Sequence, residues 1–125
     1  MSVLGAVVAI IDDDEDIREA MQRVLASRGY QTELYASAEQ FIVGAHTSRA
    51  ACLLCDMDLG DLTGIELVRH LFGSGFTFPV VFMTGSSSEI ARRKALELGC
   101  VAYLDKPFTS DQLMEAIIKA INRRH

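Results

Sequence analysis

The sequence has too little cysteine, and too odd a number of it, for a disulfide framework: three in 125 residues. Cys52 and Cys55 do form a C-x-x-C, but they sit in Ala51-Cys-Leu-Leu-Cys-Asp56, which reads as a buried strand. Residues three apart on a strand point to opposite faces, which argues against a redox pair or half a zinc site. Buried thiols in a reducing cytoplasm are the expectation instead. Long apolar runs are also missing. No stretch approaches the ~20 residues of a membrane span, so no membrane association is expected. The segment Met1–Ile11 lacks a basic flank and a small-residue cleavage site, and is expected to hold a first strand and not a signal peptide. Positive charge is scarce: 12 basic against 17 acidic residues give −5. The run Asp12-Asp-Asp-Glu-Asp16 carries that whole excess, and the rest of the chain is balanced. With no basic stripe, direct contact with nucleic acid is not expected. The charge gathered in one place points to a cation site. Linkers, repeats and low-complexity segments are absent too, so residues 1–125 read as one domain.

What is present is an alternation. Apolar runs at Ala6–Ile11, Thr32–Tyr35, Ala51–Cys55, Val80–Met83 and Val101–Leu104 are short, and several are continuous, as in strands covered on both faces. Helical patterns lie between them. Ile17, Ala20, Met21, Val24 and Leu25 make one stripe, with Gly29 as a stop. Ser37-x-x-Gln40, Thr63-x-x-Glu66, Ser86-x-x-Glu89 and Thr109-x-x-Gln112 are expected to cap the next four helices. Gly99 ends the fourth, and Leu113, Met114, Ile117, Ile118 and Ile121 are expected to face inward on the fifth. The pattern predicts a (βα)₅ fold of the α/β class, a three-layer sandwich with a parallel sheet and helices on both faces.

In such sheets ligands bind beyond the carboxyl ends of the strands. Four of the five predicted strands deliver a polar group there: Asp12 and Asp13 after the first, Asp56 after the third, Thr84 after the fourth and Lys106 after the fifth. The second delivers none, which suits a peripheral position. Singly, each has an ordinary reading as a helix cap, turn residue or solvated charge. Together at one sheet edge they describe a site. Three carboxylates in one pocket repel one another, and a hard divalent cation such as Mg²⁺ relieves the repulsion. Asp56 is placed to attack a phosphoryl donor, with Lys106 and a metal offsetting charge and Thr84 offering a hydroxyl.

Ile10-Ile-Asp-Asp-Asp14, Cys55-Asp-Met-Asp-Leu-Gly-Asp-Leu-Thr-Gly64, Val81-Phe-Met-Thr-Gly85 and Tyr103-Leu-Asp-Lys-Pro-Phe108 resemble the receiver domains of two-component response regulators. The resemblance spans Val7 to about Ile121. Ala36-Ser-Ala38 and Thr84-Gly85 are similar to the nitrogen-fixation-regulator subgroup, whose members usually carry a DNA-binding domain after the receiver. The resemblance implies a flavodoxin-like sheet of order 2-1-3-4-5. It also implies phosphorylation of Asp56 by a sensor histidine kinase or phosphotransfer protein, with no enzymatic activity beyond self-catalysed phosphorylation and dephosphorylation. Asp13, Asp56 and the backbone carbonyl of Asp58 would ligate Mg²⁺, with Asp12 acting through water. Thr84 and Tyr103 would form the switch pair, Lys106 would bind the phosphate, and Lys106–Pro107 would be cis. Output would pass through the face made by the fourth helix, fifth strand and fifth helix, as a homodimer or with a partner. Leu59-Gly60 stands where the family usually has Met-Pro, which implies a less preorganised loop.

Two other families share parts of this pattern. Asp56-x-Asp58 also resembles the motif of haloacid-dehalogenase-type phosphatases, but those carry it after the first strand. A flavin carrier of the same fold needs a hydroxyl- and glycine-rich loop where Asp12–Asp16 stand. His46 and His70 are expected on helix surfaces, Phe41, Phe72 and Phe82 in the core, and Arg123, Arg124 and His125 as a basic helix end.

Overall fold

The computed structural model describes residues 5–86 and 88–124. Five strands alternate with five helices: β1 (Val7–Ile11), α1 (Glu15–Ser27), β2 (Gln31–Tyr35), α2 (Ala38–Gly44), β3 (Ala50–Asp56), α3 (Gly64–Gly73), β4 (Val80–Thr84), α4 (Glu89–Glu97), β5 (Ala102–Asp105) and α5 (Ser110–Arg124), with one 3₁₀ turn at Ala45–Thr47. The strands are all parallel, in order β2-β1-β3-β4-β5. This is the predicted flavodoxin-like sandwich, with β2 at an edge.

Alternation along the strands divides the core. Val8, Ile10, Cys52, Leu54, Val81 and Met83 pack beneath Leu25 of α1 and Leu113, Ile117 and Ile121 of α5. Ala9, Ile11, Leu53, Cys55 and Phe82 point the other way, toward Phe41 of α2, Leu67, Val68 and Leu71 of α3 and Ala95 of α4. Cys52 and Cys55 thus lie on opposite faces of the sheet. Each fully buried side chain of this size contributes roughly 1.5–3 kcal/mol by leaving water.

Helix ends follow local chemistry. Asp14 caps α1 by accepting from the amides of Asp16 and Ile17. Thr63 and Glu66 form a reciprocal capping box on α3, and Thr109 and Gln112 exchange the same pair of bonds at α5. Gly29 and Gly99 stop α1 and α4 at φ +91° and +82°. Three expectations are corrected. α4 is capped by Ser88, not Ser86: Ser88 is extended and its Oγ accepts from the Ala91 amide, so Glu89 is the first helical residue. Ser37 caps α2 as expected, its Oγ accepting from the Gln40 amide, and Gln40 in turn reaches back to the Ala36 amide. Phe72 and Ile118 are exposed, at 39% and 40%, because each lies one position beyond a narrower buried stripe. His46 and His70 are exposed as expected. The side chain of Arg124, and His125, lie outside the described residues.

Candidate functional site

All the strand-end residues singled out in the sequence meet at one edge of the sheet. Asp56 and Thr84 are the last residues of β3 and β4, Asp12 and Asp13 directly follow β1, and Lys106 directly follows β5. The cavity they line, with Gly85, has a volume of about 310 Å³. One carboxylate oxygen from each of Asp12, Asp13 and Asp56 falls within 4.8 Å of the other two. Oxygen-only donors at this spacing suit a hard divalent cation of the Mg²⁺ class.

Asp12 is fully buried and fixed on every side. Its amide donates to the Tyr35 carbonyl at 3.1 Å. Its Oδ1 accepts from the Asp14 amide at 2.9 Å, and its carbonyl accepts from Arg18 Nη1 at 2.8 Å. Its Oδ2 accepts from Lys106 Nζ at 3.1 Å, and the same ammonium donates to Asp56 Oδ2 at 3.3 Å. Asp56 Oδ1 accepts from the Asp58 amide at 3.2 Å. Asp13 is exposed, so it borders the cavity from the solvent side. Thr84 is buried, and its Oγ1 accepts from the Ser86 amide at 3.1 Å. A hydroxyl that accepts there keeps its proton to donate elsewhere.

Charge coupling is visible in the proton affinities. Burial lifts the Asp56 carboxyl above its ordinary value and the neighbouring Asp12 charge adds to the lift, while the Asp58 amide and Lys106 pull it down. Burial by itself would lower Lys106, but the attraction of Asp12 and Asp56 outweighs it and the ammonium is held more firmly charged than usual.

Asp58, expected to act through its backbone carbonyl, has an exposed side chain outside the carboxylate cluster. Its Oδ1 accepts from the Gly60 amide at 3.2 Å. Tyr103 is not at the cavity. It packs among the α2-α3-α4 side of the core, and its hydroxyl is buried without a hydrogen-bond partner among the described residues. Lys106–Pro107 is cis. Two contacts had no signal in the sequence. Arg18 braces the Asp12 carbonyl from α1, and the Asp61 carboxylate accepts from the amides of Ala38 and Glu39, 23 and 22 residues away.

Among the described residues, no helix is long and apolar enough to cross a membrane. The chain is 31% identical over 121 residues to the response regulator protein TodT of Pseudomonas putida, covering 97% of this chain and 53% of that one. It is 31% identical over 113 residues to the transcriptional regulatory protein FixJ of Rhizobium meliloti, covering 90% and 55% respectively. It therefore spans about half the length of these relatives. A crystal structure titled FixJ-N superposes with a TM-score of 0.89 at 30% identity, covering 98% of this chain and 96% of that one. Full-length FixJ from B. japonicum superposes with a TM-score of 0.91 at 30% identity over 98% of this chain and 60% of the longer one. The family model of the response regulator receiver domain matches residues 8–118, and the chain belongs to that family, the phosphoacceptor receivers of two-component systems.

Proposed function

We propose that Asp56 is the phosphoacceptor, and that Asp12, Asp13, Thr84 and Lys106 are the groups that make its phosphorylation feasible. The observation that carries this reading is the Lys106 ammonium, shared at 3.1 and 3.3 Å between a fully buried Asp12 and Asp56. Asp12 anchors the lysine independently of the acceptor. When an Asp56 oxygen attacks phosphorus, Lys106 remains in place to meet the charge on the arriving group.

The step transfers a phosphoryl group from a phosphohistidine of a sensor kinase or phosphotransfer protein. An O–P bond forms to Asp56, the P–N bond breaks, and the electron pair stays on the imidazole nitrogen. The Thr84 hydroxyl donates to a phosphoryl oxygen. Gly85 leaves room for that group, since even a Cβ at this position would have nothing within 4 Å of it. Asp13 and Asp56, with the Asp58 backbone carbonyl, would hold Mg²⁺, and Asp12 would act through water. The ion's contribution there is neutralisation of negative charge. We further assign output to the α4-β5-α5 face, where Ala102, Leu104, Gln112, Glu115, Ala116 and Lys119 border a groove of about 220 Å³. A homodimer or an output partner would be the reader.

Incubation with a small phosphodonor and Mg²⁺, followed by intact-mass measurement, tests the assignment. Wild type gains one hydroxylamine-sensitive phosphoryl group and Asp56→Ala gains none. Phosphate retained by Asp56→Ala would move the acceptor to another carboxylate.

A further inference from the structure

The loop that joins β3 to α3, residues 57–63, carries Asp58 past the acceptor and has a glycine at its midpoint. Gly60 sits at φ +84°, a conformation closed to proline and strained for other side chains. Glycine also has the most backbone freedom to lose on ordering. Something else must therefore restrain this loop if the groups beside Asp56 are to be held still. Internal bonds do part of it. The Gly60 amide donates to Asp58 Oδ1 at 3.2 Å, the Leu59 amide to the Leu62 carbonyl at 3.2 Å, and the Gly64 amide to the Met57 carbonyl at 2.8 Å. These fix the loop's shape; at its start the Met57 amide donates to the Met83 carbonyl at 2.9 Å, and buried Leu59 with the partly buried Met57 and Leu62 packs against the core.

The anchor on the side toward α2 is Asp61. Its Oδ1 accepts from the Ala38 amide at 3.2 Å and its Oδ2 from the Glu39 amide at 3.0 Å. Ser37 Oγ takes the next amide, that of Gln40, at 3.1 Å. The first three amides of α2 are thus satisfied by two side chains, one local and one from a loop more than twenty residues away. A carboxylate that engages two successive amides is held in orientation as well as in place. We propose that Asp61 is a positioning residue for the phosphoacceptor loop, tying residues 57–63 to the amino end of α2 so that Asp58 and Gly60 stay registered against Asp56 and Asp13. This rests on Asp56 being the acceptor, and it adds a residue that touches neither phosphate nor metal. Gly60 is the point of transmission: a Cβ there would stand 3.7 Å from Asp13 Oδ2, so movement of the loop moves the wall of the carboxylate cluster.

A merely structural cap would affect stability alone, and Ser37→Ala supplies that comparison, since it removes a cap from the same helix without touching the loop. Three measurements are made on wild type, Asp61→Ala, Asp61→Asn and Ser37→Ala: Mg²⁺ titration, phosphorylation rate by intact mass, and amide exchange of residues 58–60 without metal. Asp61→Ala is expected to weaken Mg²⁺ binding and slow phosphorylation by about three- to tenfold each, and to speed exchange at 58–60. Asp61→Asn, which keeps one oxygen acceptor, falls between it and wild type. Ser37→Ala lowers the unfolding midpoint but leaves all three readouts at wild-type values. Unchanged exchange at 58–60 in Asp61→Ala, or equal effects from Ser37→Ala, overturns the proposal. If wild type takes no phosphate on Asp56, the functional reading fails by itself, and the exchange data still decide whether Asp61 positions the loop.

Discussion

Gly64 brings the first turn of α3 against the end of β3 at a separation that leaves no room for a methyl group. A Cβ there would lie 2.6 Å from the Asp56 carbonyl oxygen and 3.1 Å from both Met57 Cα and Phe82 Cε1. Two of those three are backbone atoms, which cannot swing aside. The glycine is therefore required by close approach, and the nearest atom it approaches is the carbonyl oxygen of Asp56, the proposed acceptor. Gly64→Ala is expected to lower stability by about 1–3 kcal/mol, the usual range for overpacking. Because the displaced backbone carries Asp56, the same change is expected to slow phosphorylation by roughly ten- to a hundredfold. Urea unfolding and mass-monitored phosphorylation check the two effects together. A variant with wild-type stability and rate would show that the strand and helix separate easily, contrary to the packing described. Lys106 illustrates the complementary constraint. Its two carboxylate partners come from β1 and β3, so one ammonium offsets repulsion between strands that are neighbours in the sheet.

At the level of elements, helix ends in this chain are controlled by carboxylates, and acid should expose that. The Thr63 amide holds Glu66 below the usual carboxylate range. Asp61 is likewise held low, first by the Glu39 amide and then by that of Ala38. A depressed folded-state pKa gives stability that is fully present above the unfolded value, about 4 for these groups, and is lost as pH falls through the lower folded value. Thermal midpoints are accordingly expected to fall below about pH 4. Glu66→Gln, which keeps the oxygen acceptor but cannot titrate, is expected to show a shallower fall over that window than wild type. Identical acid profiles would mean that the Glu66 cap does not contribute to the transition. These caps also show where the sequence was informative. Thr63-x-x-Glu66 and Thr109-x-x-Gln112 obey a local spacing rule, and the structure has both. Before α4, serines stand at 86, 87 and 88, so spacing alone could not choose the cap; the extended backbone at Ser88 does. Ile118 follows Ile117 directly, and a helical stripe buries one of two adjacent residues more readily than both. Asp61 was invisible as an anchor because capping rules look three residues ahead, and its partners lie more than twenty behind. The acidic site, by contrast, was legible because strand ends in a parallel sheet converge whatever the loops do.

Across the whole molecule, the proposed acceptor and the proposed output face are linked by β4 and β5. Phe82 pairs with Tyr103 and Thr84 with Asp105. Thr84 and Phe82 share a face by strand alternation, and Tyr103 packs on that same side. Thr84 and Tyr103, the expected switch pair, therefore lie on one surface, beneath α4. That helix is weakly seated: Ala95 is its one buried residue, while Ile90 and Leu96 are 69% and 53% exposed. Tyr103 is turned inward with its hydroxyl buried and unpartnered among the described residues. An unsatisfied buried hydroxyl costs about 1–3 kcal/mol, so this inward state is strained in its polar contacts even though the ring is well packed. Tyr103→Phe, which removes the hydroxyl and keeps the ring, is thus expected to stabilise the unphosphorylated protein by about 1 kcal/mol in urea unfolding. Under the proposed function, phosphorylation would supply the opposing bias. A phosphoryl group on Asp56 would attract the Thr84 hydroxyl and so change the volume available beside β5 and the footing of α4. Addition of Mg²⁺ and beryllofluoride, a phosphate mimic, is expected to alter amide exchange at Thr84, at Tyr103 and through residues 88–98, while leaving α1 and β1 unaltered beyond the metal-binding residues. Tyr103→Phe is expected to respond to the mimic with a smaller change in α4, because its inward state has lost the unpaired hydroxyl. Unaltered exchange at Thr84, Tyr103 and α4 in the wild type would place the output elsewhere on the molecule, even with Asp56 fully occupied.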